Sequence, residues 1–242
     1  MAVKINIPTI EGMTLKTKGK YVADDIFMNV DIPKYDGSNE GGAYVEDRLK
    51  KLLDATKKTS YMFQSYQGKN INELIQYNDT ENVTDMSYMF YNIGAKNNIP
   101  QLNTNNVVNM SAMFQGCYSL IEIPQLNTNN VNNMFNMFQN CYELTTIDIS
   151  SLDNVTNINW FASNCYSLTK FIVRTMTKTP LLSTTSFSNC YHFDGTINST
   201  HNPDGLKDGR IYVPDNMVDQ LKQATNWSAY ADIIVPLSTL EE

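Results

Sequence analysis

One stretch of sequence decides the fold: residues 107–126, which read VVNMSAMFQGCYSLIEIPQL. The pattern returns without gaps 24 residues later, as VNNMFNMFQNCYELTTIDIS at 131–150, and again as VTNINWFASNCYSLTKFIVR at 155–174. The linker QLNTNN is identical at 101–106 and 125–130. Self-similarity at a fixed period of about 20–50 residues is typical of proteins whose repeats stack on one another to make a continuous core.

The apolar positions of one repeat predict its local structure. Met110, Met113, Phe114 and Cys117 are spaced as i, i+3, i+4 and i+7, which indicates one face of a short helix. Leu120 and Ile123, followed by Pro124, predict a short strand that ends at a turn.

The asparagines that precede each repeat favour turn and helix-capping conformations. We therefore expect each unit to contain a short helix, a tight bend, a short strand and an Asn-rich turn. A period of 24 residues lies within the range of about 20–29 residues that is typical of leucine-rich repeats. The predicted fold class is an α/β repeat, a leucine-rich-repeat solenoid with a small N-terminal β module and an α/β C-terminal cap.

The repeat decays towards both ends, as expected for terminal units that need a different outer face. Upstream, Val83 and Phe90 keep the phase, whereas Tyr61-Met62-Phe63 is a degenerate copy set three residues out of phase. Downstream, the segment 187–191 is a last copy displaced by one residue.

The sequences NVTDMSYMF at 82–90 and FQGCYSL at 114–120 resemble the BspA-like leucine-rich-repeat surface proteins, whose repeat reads close to NVTNMSxMFxxC. The similarity covers roughly residues 58–195. This family occurs on bacterial and protist surfaces and in phage structural genes, usually without catalytic activity. The resemblance implies an adhesion or recognition scaffold.

The flanks divide the chain into further segments. Residues 1–37 alternate as β-strands do and form a predicted β module for docking or assembly, and 38–57 are predicted as a linker and capping helix. The segment 12–26 resembles a short module of phage and prophage tail proteins, although a plain β-hairpin that caps the solenoid is the alternative. The repeats occupy 58–195, and 196–242 form the predicted C-terminal cap, with a strand, a helix and Trp227 as an anchor.

Composition and motifs exclude several functions. The net charge of -7 and the scattered 18 basic residues argue against a nucleic-acid partner. No apolar run is long enough for membrane insertion or for a secretion signal, so we expect assembly inside a cell. The two histidines, His192 and His201, accompany no catalytic motif, and we predict neither enzymatic activity nor a cofactor.

The four cysteines recur once per repeat and are predicted to stack as a structural ladder: Cys117, Cys141, Cys165 and Cys190. Equivalent positions in stacked coils lie about 4.8 Å apart, whereas a tetrahedral metal site needs ligands that converge from several directions. Buried free thiols are favoured, with a disulfide or a metal site as the alternatives.

Candidate binding residues are the exposed strand positions and the tyrosines that recur beside the cysteines: Glu122, Glu143, Thr145, Thr169, Lys170, Tyr118, Tyr142 and Tyr166. The tyrosines favour either a cover over the edge of the core or a row of aromatics that stacks on sugars or anchors a protein. The Asn-rich turns favour capping, with calcium or glycan binding as the alternative.

Together these features predict a phage or prophage virion structural protein (tail, baseplate or fibre-associated). Its expected partners are other virion proteins and a host-surface protein or glycan. A symmetric particle also predicts a homo-oligomer. The predicted location is the virion, assembled in the host cytoplasm. The alternatives are a bacterial cell-surface adhesin and an intracellular protein-binding scaffold or inhibitor.

Overall fold

The computed structural model describes residues 6–7, 28–29, 59–60, 63–64, 80–93 and 99–241. Its strands are β1 (Asn6–Ile7), β2 (Met28–Asn29), β3 (Thr146–Ser151), β4 (Lys170–Thr175), β5 (Arg210–Val213) and β6 (Ile234–Pro236). Its helices are α1 (Tyr191–Asp194) and α2 (Val218–Gln223), with 3-10 helices at Asp215–Met217, Ser228–Tyr230 and Leu237–Thr239.

The repeats form consecutive coils that lie parallel to one another. We call them coil 1 (83–93 and 99–106), coil 2 (107–130), coil 3 (131–154) and coil 4 (155–178). Parallel bridges join Asp85 to Asn109, Asn109 to Asn133, and Asn133 to Asn157, each one repeat further along the chain. Equivalent residues of neighbouring repeats therefore lie side by side.

The prediction of a short helix in each repeat is wrong, because residues 111–116 of coil 2 form a series of turns instead. The amides of Met113, Gln115 and Cys117 donate to carbonyl oxygens three residues earlier, at 3.1–3.2 Å. The amides that alternate with them donate to coil 3 instead: Ala112 to Phe135 at 2.8 Å and Phe114 to Met137 at 2.9 Å. An α-helix keeps all its amides within one segment, whereas here alternate amides join one coil to the next.

Two left-handed residues in each coil enforce this path. The first series has φ of 53–57° at Tyr88, Ala112, Asn136 and Trp160. The second has φ of 55–75° at Asn92, Gly116, Asn140, Asn164 and Asn189. A left-handed residue every few positions interrupts a right-handed helix, and Asn and Gly tolerate that conformation best. The i, i+3, i+4, i+7 pattern that indicated a helix arises here from successive turns.

The parallel sheet runs in the order β3-β4-β5-β6, with Ile147, Phe171, Ile211 and Ile234 in register. The strand predicted in coil 2 before Pro124 is not formed, and a single bridge joins Leu126 to Ile149 there. Proline lacks the amide that a ladder requires, so the continuous strands begin one coil later.

The core lies inside the coils and consists of stacked equivalent side chains. The rings of Phe63, Phe90, Phe114 and Phe138 stack with centroid separations of 5.7, 5.4 and 5.4 Å and are fully buried. The stacking of Phe63 on Phe90 confirms the upstream copy set three residues out of phase. Downstream, the Ala162 amide donates to Ser186 at 2.8 Å, one residue later than its equivalents, which confirms the displaced last copy.

The C-terminal strand and helix are confirmed: β5 extends the sheet and α2 follows it. Trp227 is fully buried, and its indole N–H donates to the Pro180 carbonyl at 2.9 Å. At the other end, the antiparallel pairs Asn6–Asn29 and Ile7–Met28 join β1 to β2. The tail-protein-like segment, the linker and the capping helix predicted before residue 58 otherwise lie outside the described residues.

Candidate recognition surface

Successive coils present one shared corner, where the turn series ends and the strand begins. We call it the corner face: residues 118–122, 142–146 and 166–170 together with the insertion 194–210. The amide of Thr145 donates to Ile121 at 3.0 Å, that of Thr169 to Thr145 at 3.0 Å, and that of Arg210 to Thr169 at 2.8 Å. These backbone bonds fix the corner segments one above another.

A tyrosine column runs along the corner face. Centroid separations are 5.0 Å from Tyr118 to Tyr142, 4.7 Å from Tyr142 to Tyr166 and 4.9 Å from Tyr166 to Tyr191. The last two pairs are nearly parallel, at 11° and 8°. Each inner ring therefore has a tyrosine on both faces, which leaves its edge and its hydroxyl to solvent. Burial, together with the neighbours Tyr191 and Tyr142, raises the pKa of Tyr166.

The remaining predicted site residues fall into two groups. Glu122, Glu143 and Lys170 are exposed, but the carboxylate of Glu143 lies 3.4 Å from Nε2 of His201. Thr145 and Thr169 are half-buried, and each hydroxyl donates to a carbonyl of the preceding coil, at 3.2 and 3.3 Å. The two threonines thus support the corner, whereas Glu122, Lys170 and Tyr118, which is 44% exposed, are accessible on it.

The insertion 194–210 forms one end of the corner face and is organised around Asn202. This side chain is buried, and its amide nitrogen lies within 3.2 Å of the carbonyl oxygens of Tyr191, Thr196 and Leu206. Its oxygen accepts the Leu206 amide at 3.0 Å. One polar side chain therefore joins both ends of the loop to the last coil.

Both histidines fix the insertion to the coils. His192 contacts Asp208 at 2.7 Å through Nδ1 and the His201 carbonyl at 2.9 Å through Nε2. His201 lies 3.4 Å from Glu143 and packs against Tyr166, with ring centroids 5.1 Å apart. The loop thereby presents Ile197 and Leu206, which are 74% and 54% exposed.

The corner residues that sequence reasoning missed are Ile121, Arg210 and the pair on the insertion. Ile121, which is 45% exposed, had a detectable signal, since it lies one 24-residue step before Thr145. Arg210 lies outside that step, and only the pairing of β4 with β5 places it beside Lys170. The position of Ile197 and Leu206 depends on the loop around Asn202, for which the repeat pattern gives no signal.

The cysteine column faces inward, away from the corner face. All four thiols are buried, and each Sγ–H donates at 3.1 Å to a backbone carbonyl of the preceding coil. Burial raises the pKa of each cysteine. Metal ligation requires the thiolate, which this environment disfavours. Within the described part of the chain, no group of three or more His, Cys, Asp or Glu side chains is placed to hold a metal ion.

The asparagine side chains bond from coil to coil. Asn106, Asn130 and Asn154 donate to carbonyls of the preceding coil at 2.6–2.8 Å. The side-chain oxygens of Asn109 and Asn133 accept amides two residues later, at 3.1 Å. Because these groups satisfy the backbone, the geometry favours the capping interpretation of the Asn-rich turns.

These features define a class: a repeat protein of parallel stacked coils with a continuous corner. Residues 57–178, half of the chain, match the family model described as "Mycoplasma protein of unknown function, DUF285". The chain belongs to this family. Neither the curated proteins nor the solved structures contain a significant match to it. Among the described residues, no helix is long and apolar enough to cross a membrane.

Proposed function

We propose that this protein is a non-catalytic recognition scaffold, built as a BspA-like leucine-rich-repeat solenoid, and that it serves as a phage or prophage virion structural protein. The observation that carries the recognition role is the corner face. Each coil contributes equivalent side chains at a spacing of about 4.8 Å, on segments whose backbones are bonded to one another. Such a preorganised row loses little conformational entropy when a partner binds.

A protein partner fits this surface better than a glycan. Sugar rings stack on a free aromatic face, but the faces of Tyr142 and Tyr166 are covered by neighbouring tyrosines. The free groups are tyrosine edges, the charges of Glu122 and Lys170, and exposed aliphatic side chains. Aromatic edges with aliphatic and charged neighbours are typical of protein interfaces.

The virion assignment is supported by the segment 12–26, which resembles a module of phage and prophage tail proteins. The family match begins at residue 57, so this segment lies in an appended part of the chain. In the proposal, 1–37 dock to other virion proteins while the coils face a host-surface protein. Location in the virion, after assembly in the host cytoplasm, follows from the same proposal.

A bacterial cell-surface adhesin is the second candidate, favoured by the resemblance of the repeat sequences at 82–90 and 114–120 to BspA-like surface proteins. An intracellular binding scaffold would use the same wide surface. The three candidates differ in where the protein is found. Stoichiometric detection on purified particles, by peptide mass spectrometry and labelled-antibody microscopy, is the expected result. Detection only on the cell envelope, or only in soluble lysate bound to a cellular protein, would refute the virion assignment.

The corner face is tested separately, by alanine at the predicted positions Glu122, Glu143, Thr145, Thr169 and Lys170. The partner is first captured from the host surface with the wild-type protein, and its affinity is then measured for each variant. We expect alanine at the charged positions Glu122, Glu143 and Lys170 to weaken binding. The matched control is Asp219→Ala on α2, an exposed carboxylate outside the corner face. Unchanged binding in all five corner variants would remove the corner from the proposed function.

A further inference from the structure

A second surface of the coils differs from the corner face in carrying no charge. It is formed by the turn series that precedes the corner in each coil, at 87–91, 111–115, 135–139 and 159–163. These segments contain no charged residue, although charged residues make up 18% of the chain. We call their exposed and half-buried side chains the turn face: Tyr88, Tyr91, Gln115, Phe135, Asn136, Gln139, Asn159 and Trp160.

Trp160 is the most exposed aromatic side chain of the turn face, at 42%. Its φ of 57° lies in the left-handed region, where a bulky residue is strained. The equivalent position one coil earlier has Asn136, which tolerates the same conformation better. The coil therefore gains no stability from an indole at this position, and strain of this kind is concentrated at functional sites.

The aromatic rings around Trp160 are not stacked in the way that the tyrosine column is. Within the described residues, neither Trp160 nor Phe135 packs against another aromatic ring. Phe135 is half-buried and is not part of the hydrophobic core. The indole thus keeps exposed ring surface, and Phe135 in the neighbouring coil adds further apolar surface.

Amide groups with unused hydrogen-bonding capacity accompany these rings. Gln115 Nε2 donates to Gln139 Oε1 at 2.7 Å, which leaves the Gln115 oxygen and the Gln139 nitrogen without a partner among the described residues. The buried side-chain oxygen of Asn136 accepts no hydrogen bond from them either. A buried acceptor without a donor is unfavourable, so a hydroxyl group of a ligand would stabilise Asn136 after a rotation of its side chain.

We propose that the turn face binds a neutral, extended, β-linked polysaccharide that lies along the stacking direction of the coils. The apolar C–H faces of its sugar rings stack on Trp160 and Phe135. Its hydroxyl groups bond to Asn136 and to the free ends of the Gln115–Gln139 pair. This site is separate from the corner face, so the inference goes beyond the proposed function and does not depend on it.

The spacing and chemistry of the turn face favour this ligand over others. Neighbouring coils are about 4.8 Å apart, close to the length of one sugar residue in an extended β-linked chain, so each coil faces one residue. β-linked hexopyranoses with equatorial substituents also have the flattest apolar faces. An anionic polysaccharide would require basic side chains, which the turn face lacks. Protein interfaces are enriched in Arg and Met as well as aromatic residues, whereas this surface presents rings, amides and no cation.

The test is a titration of the full chain with β-linked glucose and N-acetylglucosamine oligomers of increasing length, followed by NMR. The two tryptophans give two indole N–H signals, and that of Trp227 is fully buried and donates to the Pro180 carbonyl. We expect the Trp160 signal to move and the Trp227 signal to stay. Affinity should rise with oligomer length up to about four residues, one for each of coils 1–4. It should not change with salt, because neither partner is charged.

Two substitutions introduce the residue that a neighbouring coil already has at the same position. Trp160→Asn corresponds to Asn136 and is expected to fold and to weaken oligosaccharide binding roughly tenfold or more. Phe135→Ser corresponds to Ser111 and is expected to weaken it several-fold. The matched control is Leu206→Asn, which removes a 54% exposed apolar side chain outside the turn face and is expected to change nothing. Circular dichroism identifies any variant that fails to fold.

The outcomes decide the inference independently of the corner face. An unmoved Trp160 signal with both oligomer series, or binding that either substitution leaves unchanged, would overturn the proposed site. A Trp160 signal that moves with a host-surface protein but with no oligosaccharide would assign the turn face to a protein instead. Glu122→Ala should weaken capture of the host-surface protein at the corner face and leave oligosaccharide binding as in the wild type.

Discussion

Gly116 gives the sharpest test of how the turn series is built. It lies in the second left-handed series with φ of 75°, at the position where other coils have Asn92, Asn140 and Asn164. A Cβ added at Gly116 would lie 3.4 Å from the Asn92 side-chain oxygen, which is an ordinary contact. The Gly116→Ala substitution therefore tests backbone conformation almost alone.

Alanine in the left-handed region costs roughly 1–2 kcal/mol. Its lower entropy in the unfolded chain returns about 0.4–1 kcal/mol. We expect Gly116→Ala to reduce the free energy of unfolding by about 1 kcal/mol. Gly116→Asn, which restores the residue of the other coils, is expected to stay within about 0.5 kcal/mol of the wild type because Asn tolerates this conformation.

Urea unfolding measures both variants. For an m-value of about 2 kcal/mol/M, a loss of about 1 kcal/mol lowers the midpoint by roughly 0.5 M. Circular dichroism follows the backbone, while tryptophan fluorescence follows Trp160 in coil 4 and Trp227 in the cap, and coincident transitions validate the two-state treatment. An alanine variant as stable as the wild type, or an asparagine variant as unstable as the alanine one, would refute the account of the left-handed series.

Three further predictions concern the core, the thiols and the insertion. Phe114→Ala should cost about 3–5 kcal/mol in urea unfolding, since the ring is fully buried between Phe90 and Phe138; a loss below about 1 kcal/mol would contradict the stacked core. The four thiols, whose pKa values are raised by burial, should resist alkylation at pH 8 until guanidinium is added. Above about pH 8.5 the thiols of the unfolded chain ionise while those of the folded chain keep their protons. The free energy of unfolding should therefore fall as pH rises, by up to about 1.4 kcal/mol per pH unit for each cysteine. A free energy of unfolding that rises in this range would contradict the burial of the four thiols. Asn202→Ala removes the bonds that organise the insertion, and protease cleavage within 196–208 should become faster while the Phe114 core keeps its amide-exchange protection; unchanged cleavage would show that Asn202 does not hold the loop.

The 24-residue step gave the stacking register, because equivalent residues must lie side by side when coils are parallel. The parallel bridge from Asn109 to Asn133, one repeat apart, and the stacking of Phe114 on Phe138 both follow from that step. The shifts of the repeat at its two ends could also be predicted from the sequence. Phe63 stacks on Phe90 with a shift of three residues, and Ser186 accepts the Ala162 amide with a shift of one residue. A repeated sequence therefore specifies long-range contacts that an unrepeated one does not.

The local structure of each coil was harder to predict. The spacing of Met110, Met113, Phe114 and Cys117 is compatible with one face of a helix. It is equally compatible with successive turns, because these also return a side chain to the core every three or four residues. The distinguishing signal was the Asn or Gly that recurs at the position of Gly116, where a helix would gain nothing from either residue. Hydrogen bonds between neighbouring coils then satisfy the backbone groups that a helix would have paired internally.

The tyrosine column shows why side-chain identity alone did not determine the ligand class. A row of partly exposed tyrosines is compatible with sugar stacking or protein contact, and only ring orientation separates the two. At 4.7–5.0 Å between centroids, the rings nearest to parallel occupy each other's faces, so the column presents edges and hydroxyl groups. The coil spacing that makes the repeat stable thereby removes the faces that a sugar would need. In the proposed recognition role, contact with a partner therefore depends on what flanks the column, namely the exposed charges of Glu122 and Lys170 and the exposed apolar side chain of Ile121.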